Sequence, residues 1–232
     1  MGTNNLISTA IVCAYNEAQT LGAILESLSE TPEVSEIIVV NDGSSDGTYK
    51  VINKFSVDKK IRAIEFSENR GKGYAMAEGI AHAIGSILIF VDSDLLNFKP
   101  EYISQLVRPL IEGKADMVIG DPTISHLEHR LDPLKVLSGE RAVFKQDILS
   151  LIDPMRKSRF GVETLINLYY RAERKRVLCI PLWGVIHPMK IEKKYPLKKI
   201  VSEYSQASYQ IAKTVVVHYW LIVLIVRNAL WR

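Results

Sequence analysis

Short, nearly continuous apolar runs alternate with helical periodicity through the first half of the chain. ISTAIVCA (Ile7–Ala14), EIIVV (Glu36–Val40), IRAIEF (Ile61–Phe66) and SILIFVD (Ser86–Asp92) read as strands. Segments over roughly Ala18–Ser29, Tyr49–Phe55 and Gly73 to Ala83 read as the helices between them. Apolar strands of this kind are covered on both faces, as in parallel sheets. Alternating strand and helix predicts an α/β fold with a doubly wound, mostly parallel sheet. Ligands of such sheets bind beyond the carboxyl ends of the strands. The residues that follow each strand are therefore the ones to read for chemistry: Tyr15-Asn16-Glu17, Asn41 to Ser44, Asn69 to Gly73, and Asp92-Ser93-Asp94.

The second half is less regular. A helix is expected after Pro100, a fifth strand over Ala115–Gly120, and a loop from Asp121 to Pro133. Helices are expected near Gln146–Leu151 and Gly161–Arg174, and a long strand or bent ribbon over Arg176–His187. The tail from Lys198 reads as helical. Its run TVVVHYWLIVLIV is apolar on all sides. Thirteen residues make only about 20 Å of helix, short of a bilayer core of about 30 Å. A core or dimer-interface helix is the first reading. An interfacial anchor flanked by Trp220, Trp231, Arg227 and Arg232 is the second. No linker separates the halves, so residues 1–120, 121–212 and 213–232 are read as parts of one compact unit.

Composition narrows the class. The 232 residues are 47% hydrophobic and 24% charged, with a net charge of +3. This balance argues against a nucleic-acid partner, which requires concentrated basic charge. Cys13 and Cys179 are two distant core-type cysteines, neither a disulfide framework nor a zinc site. The N-terminus has no basic region and no clear cleavage site, so no signal peptide is expected. The expected location is cytoplasmic, with room for peripheral contact at the inner face of the membrane.

The strongest chemical signal is Asp92-Ser93-Asp94. Two carboxylates two residues apart at a strand end repel each other, and a divalent cation relieves that repulsion. Oxygen ligands suit Mg²⁺ or Mn²⁺, which neutralise a diphosphate leaving group. Gly71-Lys72-Gly73 opens a helix, where backbone approach and the helix N-terminus favour an anion. There is no P-loop and no GxGxxG, so NTPase and dehydrogenase readings lack support. CAYNEAQT also lacks the Gly-rich basic loop of a nucleotidyltransferase. The pair His126 and His129 in HLEHR has no metalloprotease context.

AIVCAYNEAQTLGAILESL, EIIVVNDGSSDGT, NRGKGYAMAEGI and ILIFVDSDL together resemble the nucleotide-sugar half of family 2 glycosyltransferases, of GT-A fold. The resemblance implies a hexosyltransferase that uses a nucleotide-diphospho-sugar, UDP favoured, with Mg²⁺ or Mn²⁺. It implies that Tyr15, Asn16 and Glu17 line base and ribose, that Asp42 hydrogen-bonds the base with Ser44 beside it, and that Lys72 lies near base and phosphates. Asp92 and Ser93 join the nucleotide-sugar site, and Asp94 ligates the metal. LSGERAV, FGVETLINL and WGVIHPMKIEKK resemble segments of glucosyl-3-phosphoglycerate synthases and their relatives. From these His187 is expected to complete the metal site. Gly139, Glu140 and Arg141 are expected at the acceptor, and Glu140 and Glu163 are the available carboxylates, Glu163 being placed with Asp94 in the catalytic set. Arg141, Lys145, Arg156, Lys157 and Arg159 fit either a phosphate on the acceptor or a solvated loop. The acceptor is then a small, phosphorylated molecule or a lipid phosphate. A polyprenyl-phosphate transferase at the membrane and a non-catalytic nucleotide-sugar-binding module are the competing readings. A homodimer is compatible with the apolar tail, and the stereochemical outcome is open.

Overall fold

The computed structural model describes residues 7–123, 137–158, 161–187 and 197–230. Among these, the strands are β1 (Ser8–Ala14), β2 (Glu36–Asn41), β3 (Ile61–Glu65), β4 (Ile87–Asp92), β5 (Met117–Thr123), β6 (Arg141–Phe144) and β7 (Val177–Trp183). They form one sheet in the order β3-β2-β1-β4-β6-β5-β7. Every pairing is parallel except those of β6, which runs antiparallel between β4 and β5. The doubly wound α/β expectation holds, with one strand the sequence reading missed.

Helices cover both faces. One is packed by α1 (Leu21–Ser29), α2 (Thr48–Phe55) and α4 (Pro100–Ile111). The other is packed by α3 (Lys72–His82), the short α5 (Lys145–Ile148), α6 (Ile152–Ser158) and α7 (Val162–Ala172). Ala10, Val12, Ile37, Val39, Ile87 and Ile89 point to the first core, and Ile11, Ile38, Leu88 and Phe90 to the second. This is why β1, β2 and β4 read as unbroken apolar runs. Each Val, Leu or Ile so buried contributes about 1.5–3 kcal/mol.

At the amino edge of the sheet, the carboxylate of Glu36 accepts hydrogen bonds from Thr9 Oγ1 at 2.7 Å, Ile84 N–H at 2.9 Å and Arg62 at 2.9 Å. Burial alone would raise its pKa. The Ile84 N–H, Thr9 and Arg62 outweigh that and hold it below the usual carboxylate range. A depressed carboxylate stabilises above its unfolded pKa, and the contribution is lost as pH falls through the folded pKa. Glu36→Gln is thus expected to cost about 1–3 kcal/mol at neutral pH and to flatten the acid limb of urea-unfolding curves measured between neutral and acid pH.

The segment DPMRKSRFG carries three of the basic residues that fit either an acceptor phosphate or a solvated loop. Through Ser158 it is helical instead, because Met155 and Ser158 of α6 are buried. Arg156 pairs with Glu78 of α3 at 2.9 Å, and Lys145 donates to the Ala83 carbonyl at 2.5 Å. Arg156 is thus tied to α3, and Lys145 to the residue that follows it. His126, His129 and Arg159 lie outside the described residues.

The tail is helical but bent. It forms α8 (Leu197–Val217) and α9 (Tyr219–Leu230), bent at His218 by 63°. Three β-branched residues, Val215–Val217, precede the break and weaken helix propensity there. Thr214 packs on Gly161, where a Cβ would stand 2.9 Å from Thr214 Cβ. Leu221 is buried in the second core. Among the described residues, no single helix is long and apolar enough to cross a membrane; Ser208–Val217 and Tyr219–Leu230 reach that length and apolarity only as a bent pair.

Candidate active site

The loops after β1 and β2 are tied together at the carboxyl edge. Asn16 sits at a φ of 58°. Its N–H donates to Ser44 Oγ at 2.9 Å, and its Oδ1 accepts the Ser45 N–H at 2.8 Å. The Glu17 N–H donates to Thr48 Oγ1 at 3.0 Å, and the Ala18 N–H to Asp46 Oδ2 at 3.2 Å. Asp42 is buried, and its two oxygens accept the N–H groups of Arg70 at 2.7 Å and Gly71 at 2.9 Å. That pair of bonds fixes the loop that leads into α3. Arg70 lies over the Tyr74 ring at 3.6 Å, and Tyr15 stands half-exposed at the rim. Ser93 donates to the Cys13 carbonyl at 2.9 Å, tying the turn after β4 to β1.

At the centre, Lys72 opens α3. Its ammonium is 2.6 Å from Asp92 Oδ1 and 2.7 Å from Glu163 Oε1 in the first turn of α7. Burial works against the charge, but Asp92 and Glu163 outweigh it and hold the pKa well above the ordinary lysine value. Asp92 is likewise opposed by burial and is held well below the carboxylate range by Lys72 and His187.

The missed strand delivers the other wall. Because β6 runs antiparallel, its beginning lies at the carboxyl edge, with Arg141 opposite Phe90. Gly139 then meets the carboxylate of Asp92, where a Cβ would stand 2.5 Å from Asp92 Cγ. Glu140 is fully buried. Ser138 Oγ donates to its Oε2, while Oε1 has no hydrogen-bond partner among the described residues. Burial and the Asp92 charge push its pKa up to about 7. Arg141 is also fully buried and donates to the Ser138 carbonyl and, at 3.3 Å, to Asn167 Oδ1. Gly139→Ala is expected to displace Asp92 and weaken Mn²⁺ binding about 10–100-fold, read by Mn²⁺ titration.

After β7 the chain turns at Gly184. Leu96 and Ile186 then bridge through N–H···O bonds of 2.9 and 3.1 Å. That bridge sets His187 Nε2 3.5 Å from Asp92 Oδ2 and 3.5 Å from Asp94 Oδ1. Asp92, Asp94 and His187 each offer one ligand atom within 4.8 Å of the others. The Asp92 hydrogen bond, aided by Asp94 and Glu140 against burial, pushes the His187 pKa up to about 9. Two carboxylates and an imidazole suit Mg²⁺ or Mn²⁺.

Asp92, Asp94, Lys72, Glu163, Gly139, Glu140 and His187 therefore converge, while Tyr15, Asn16, Glu17, Asp42 and Ser44 form the neighbouring loops. Sequence reading overlooked the Lys72–Glu163 ion pair, the Ser138 and Asn167 partners, and Asp46 as a tie between loops. The acid at the first turn of α7 was the available signal for the ion pair.

The profile of glycosyl transferase family 2 matches residues 9–201. Glycosyltransferase GlyA of Streptococcus pneumoniae is 28% identical over 185 residues, 79% of this chain and 24% of GlyA. Dolichyl-phosphate beta-glucosyltransferase of Drosophila melanogaster is 39% identical over 135 residues, 52% of this chain and 41% of that protein. The chain thus spans less than half the length of these relatives. Glucosyl-3-phosphoglycerate synthase from Mycobacterium tuberculosis, in complex with Mn²⁺, UDP and glucosyl-3-phosphoglycerate, shares the fold with a TM-score of 0.68. That match is 23% identical and covers 90% of this chain and 79% of the synthase.

Proposed function

The chain belongs to glycosyl transferase family 2, and we propose that it transfers a sugar from a nucleotide-diphospho-sugar, with UDP as the favoured carrier, to a small phosphorylated acceptor. The observation that carries this reading is the convergence of Asp92, Asp94 and His187 beside the tied loops of β1 and β2. Mn²⁺ or Mg²⁺ held by these three residues would supply the charge that stabilises a departing diphosphate. The mycobacterial synthase, described with Mn²⁺ and UDP, supports the choice of metal and carrier.

The chain's own groups have distinct tasks in this reading. Tyr15, Asn16 and Glu17 flank the base and ribose. Asp42 already accepts two backbone N–H groups, and a carboxylate has lone pairs left for the imide N–H of uracil. Lys72 holds Asp92 and Glu163 in fixed positions and keeps its positive charge near the phosphates. His187 would join the metal set as the neutral imidazole, through Nε2. Gly139 and Glu140 line the acceptor side, and the buried Arg141 shapes that wall by holding the Ser138 carbonyl.

A lipid phosphate is the second acceptor reading, favoured by the 39% identity to the Drosophila dolichyl-phosphate enzyme. The test is a transfer screen of UDP- and GDP-sugars with Mn²⁺, offering phosphoglycerate or polyprenyl phosphate. The expected result is Mn²⁺-dependent release of UDP, accelerated by phosphoglycerate. Faster turnover of GDP-sugars would contradict the uridine assignment, and acceleration by polyprenyl phosphate alone would replace the acceptor.

A further inference from the structure

The helix elbow at His218 carries a surface that the active site does not use. Leu221, with Leu224 and Ile225 beside it, packs on the second core. The outer side presents Val216, Tyr219, Trp220, Val223 and Val226 to solvent, with Tyr219 65% and Val223 58% exposed. A contiguous apolar patch of this kind marks an interaction surface.

Two observations specify what covers it. The first is charge. From Tyr204 to Arg232 the sequence has no Asp or Glu, and its charged residues are Lys213, Arg227 and Arg232. The second is a cavity of about 380 Å³ beside the elbow, whose mostly apolar wall carries Lys157, Gln210, Lys213 and His218 beside Pro154 and Val217. Asp153 shares that wall, but Arg156 holds it at 2.9 Å. Burial lowers the His218 pKa, so the cavity's positive charge comes from Lys157 and Lys213. Trp and Tyr beside basic groups match the headgroup level of a bilayer, and anionic lipid attracts each cation near its surface. A second copy docking by the same patch would bring like charges together.

We propose that the elbow of α8 and α9 docks peripherally on an anionic phospholipid surface, with a headgroup phosphate between Lys157 and Lys213. The inference is independent of the donor and acceptor assignments. It is tested by floating the full chain with phosphatidylcholine vesicles, with and without phosphatidylglycerol. Binding is expected on the phosphatidylglycerol vesicles alone and should weaken with salt. Lys157→Gln with Lys213→Gln should weaken it about 25-fold, roughly fivefold per lysine. Trp220→Ser with Val223→Ser should remove it, with an unchanged melting curve because both side chains are exposed. Equal flotation on neutral vesicles overturns the proposal, as does partition indifferent to the lysine variants. So does a lipid-free dimer in sedimentation that Trp220→Ser dissolves, which would assign the face to a second copy.

Discussion

Asp94→Ala is expected to lower sugar transfer about a thousandfold while leaving thermal unfolding little changed. Asp94 follows β4 on a turn, outside both core clusters, so its loss removes no packing. What it removes is one of the groups within reach of His187, at 3.5 Å, in the three-residue set. Charge stabilisation by a bound metal is worth several kcal/mol, and each 1.36 kcal/mol is about tenfold in rate. The check is kcat/KM for the donor, measured alongside a melting curve. Wild-type turnover in the variant would remove Asp94 from the metal set.

Lys72→Met should damage folding and activity together. One ammonium bridges Asp92 at 2.6 Å and Glu163 at 2.7 Å, and all three side chains are mostly buried. Removing the cation leaves two carboxylates facing each other, at a cost of about 3–5 kcal/mol. The sign of the pH dependence follows from Asp92. In the wild type its folded pKa is depressed, so its contribution is present above the unfolded value of about 3.9 and lost as pH falls below it. In the variant the carboxylate pair favours a shared proton, which raises the folded pKa. The stability gap should therefore be widest near pH 7 and narrow at about pH 4. Urea unfolding of both proteins at these two pH values decides it. A gap independent of pH would mean that Lys72 acts by packing rather than by charge.

The contrast between Asp92 and Arg141 shows what was legible. Asp92, Asp94 and Lys72 stand just past parallel strands or at a helix start, and parallel topology sends all such positions to one edge. Sequence order was enough to group them. Strand β6 has four residues and a fully buried arginine at its start, so neither alternation nor an apolar run marked it. Its antiparallel direction is a property of the sheet, and only that direction brings Gly139 against Asp92. His187 was placed by resemblance. The Leu96–Ile186 bridge that delivers it joins residues far apart in the chain, so local pattern carries no trace of it. In the tail, helix was legible but the elbow was not, because an all-apolar run gives no periodicity to show which side is covered.

Asp92, Asp94 and His187 would together hold a divalent cation that the nucleotide shares. Calorimetric titration of UDP into the metal-free protein, with and without Mn²⁺, tests it most directly. UDP should bind at least about tenfold more tightly with Mn²⁺, with no Mn²⁺ effect in Asp94→Ala. UDP affinity unchanged by excess chelator would contradict it.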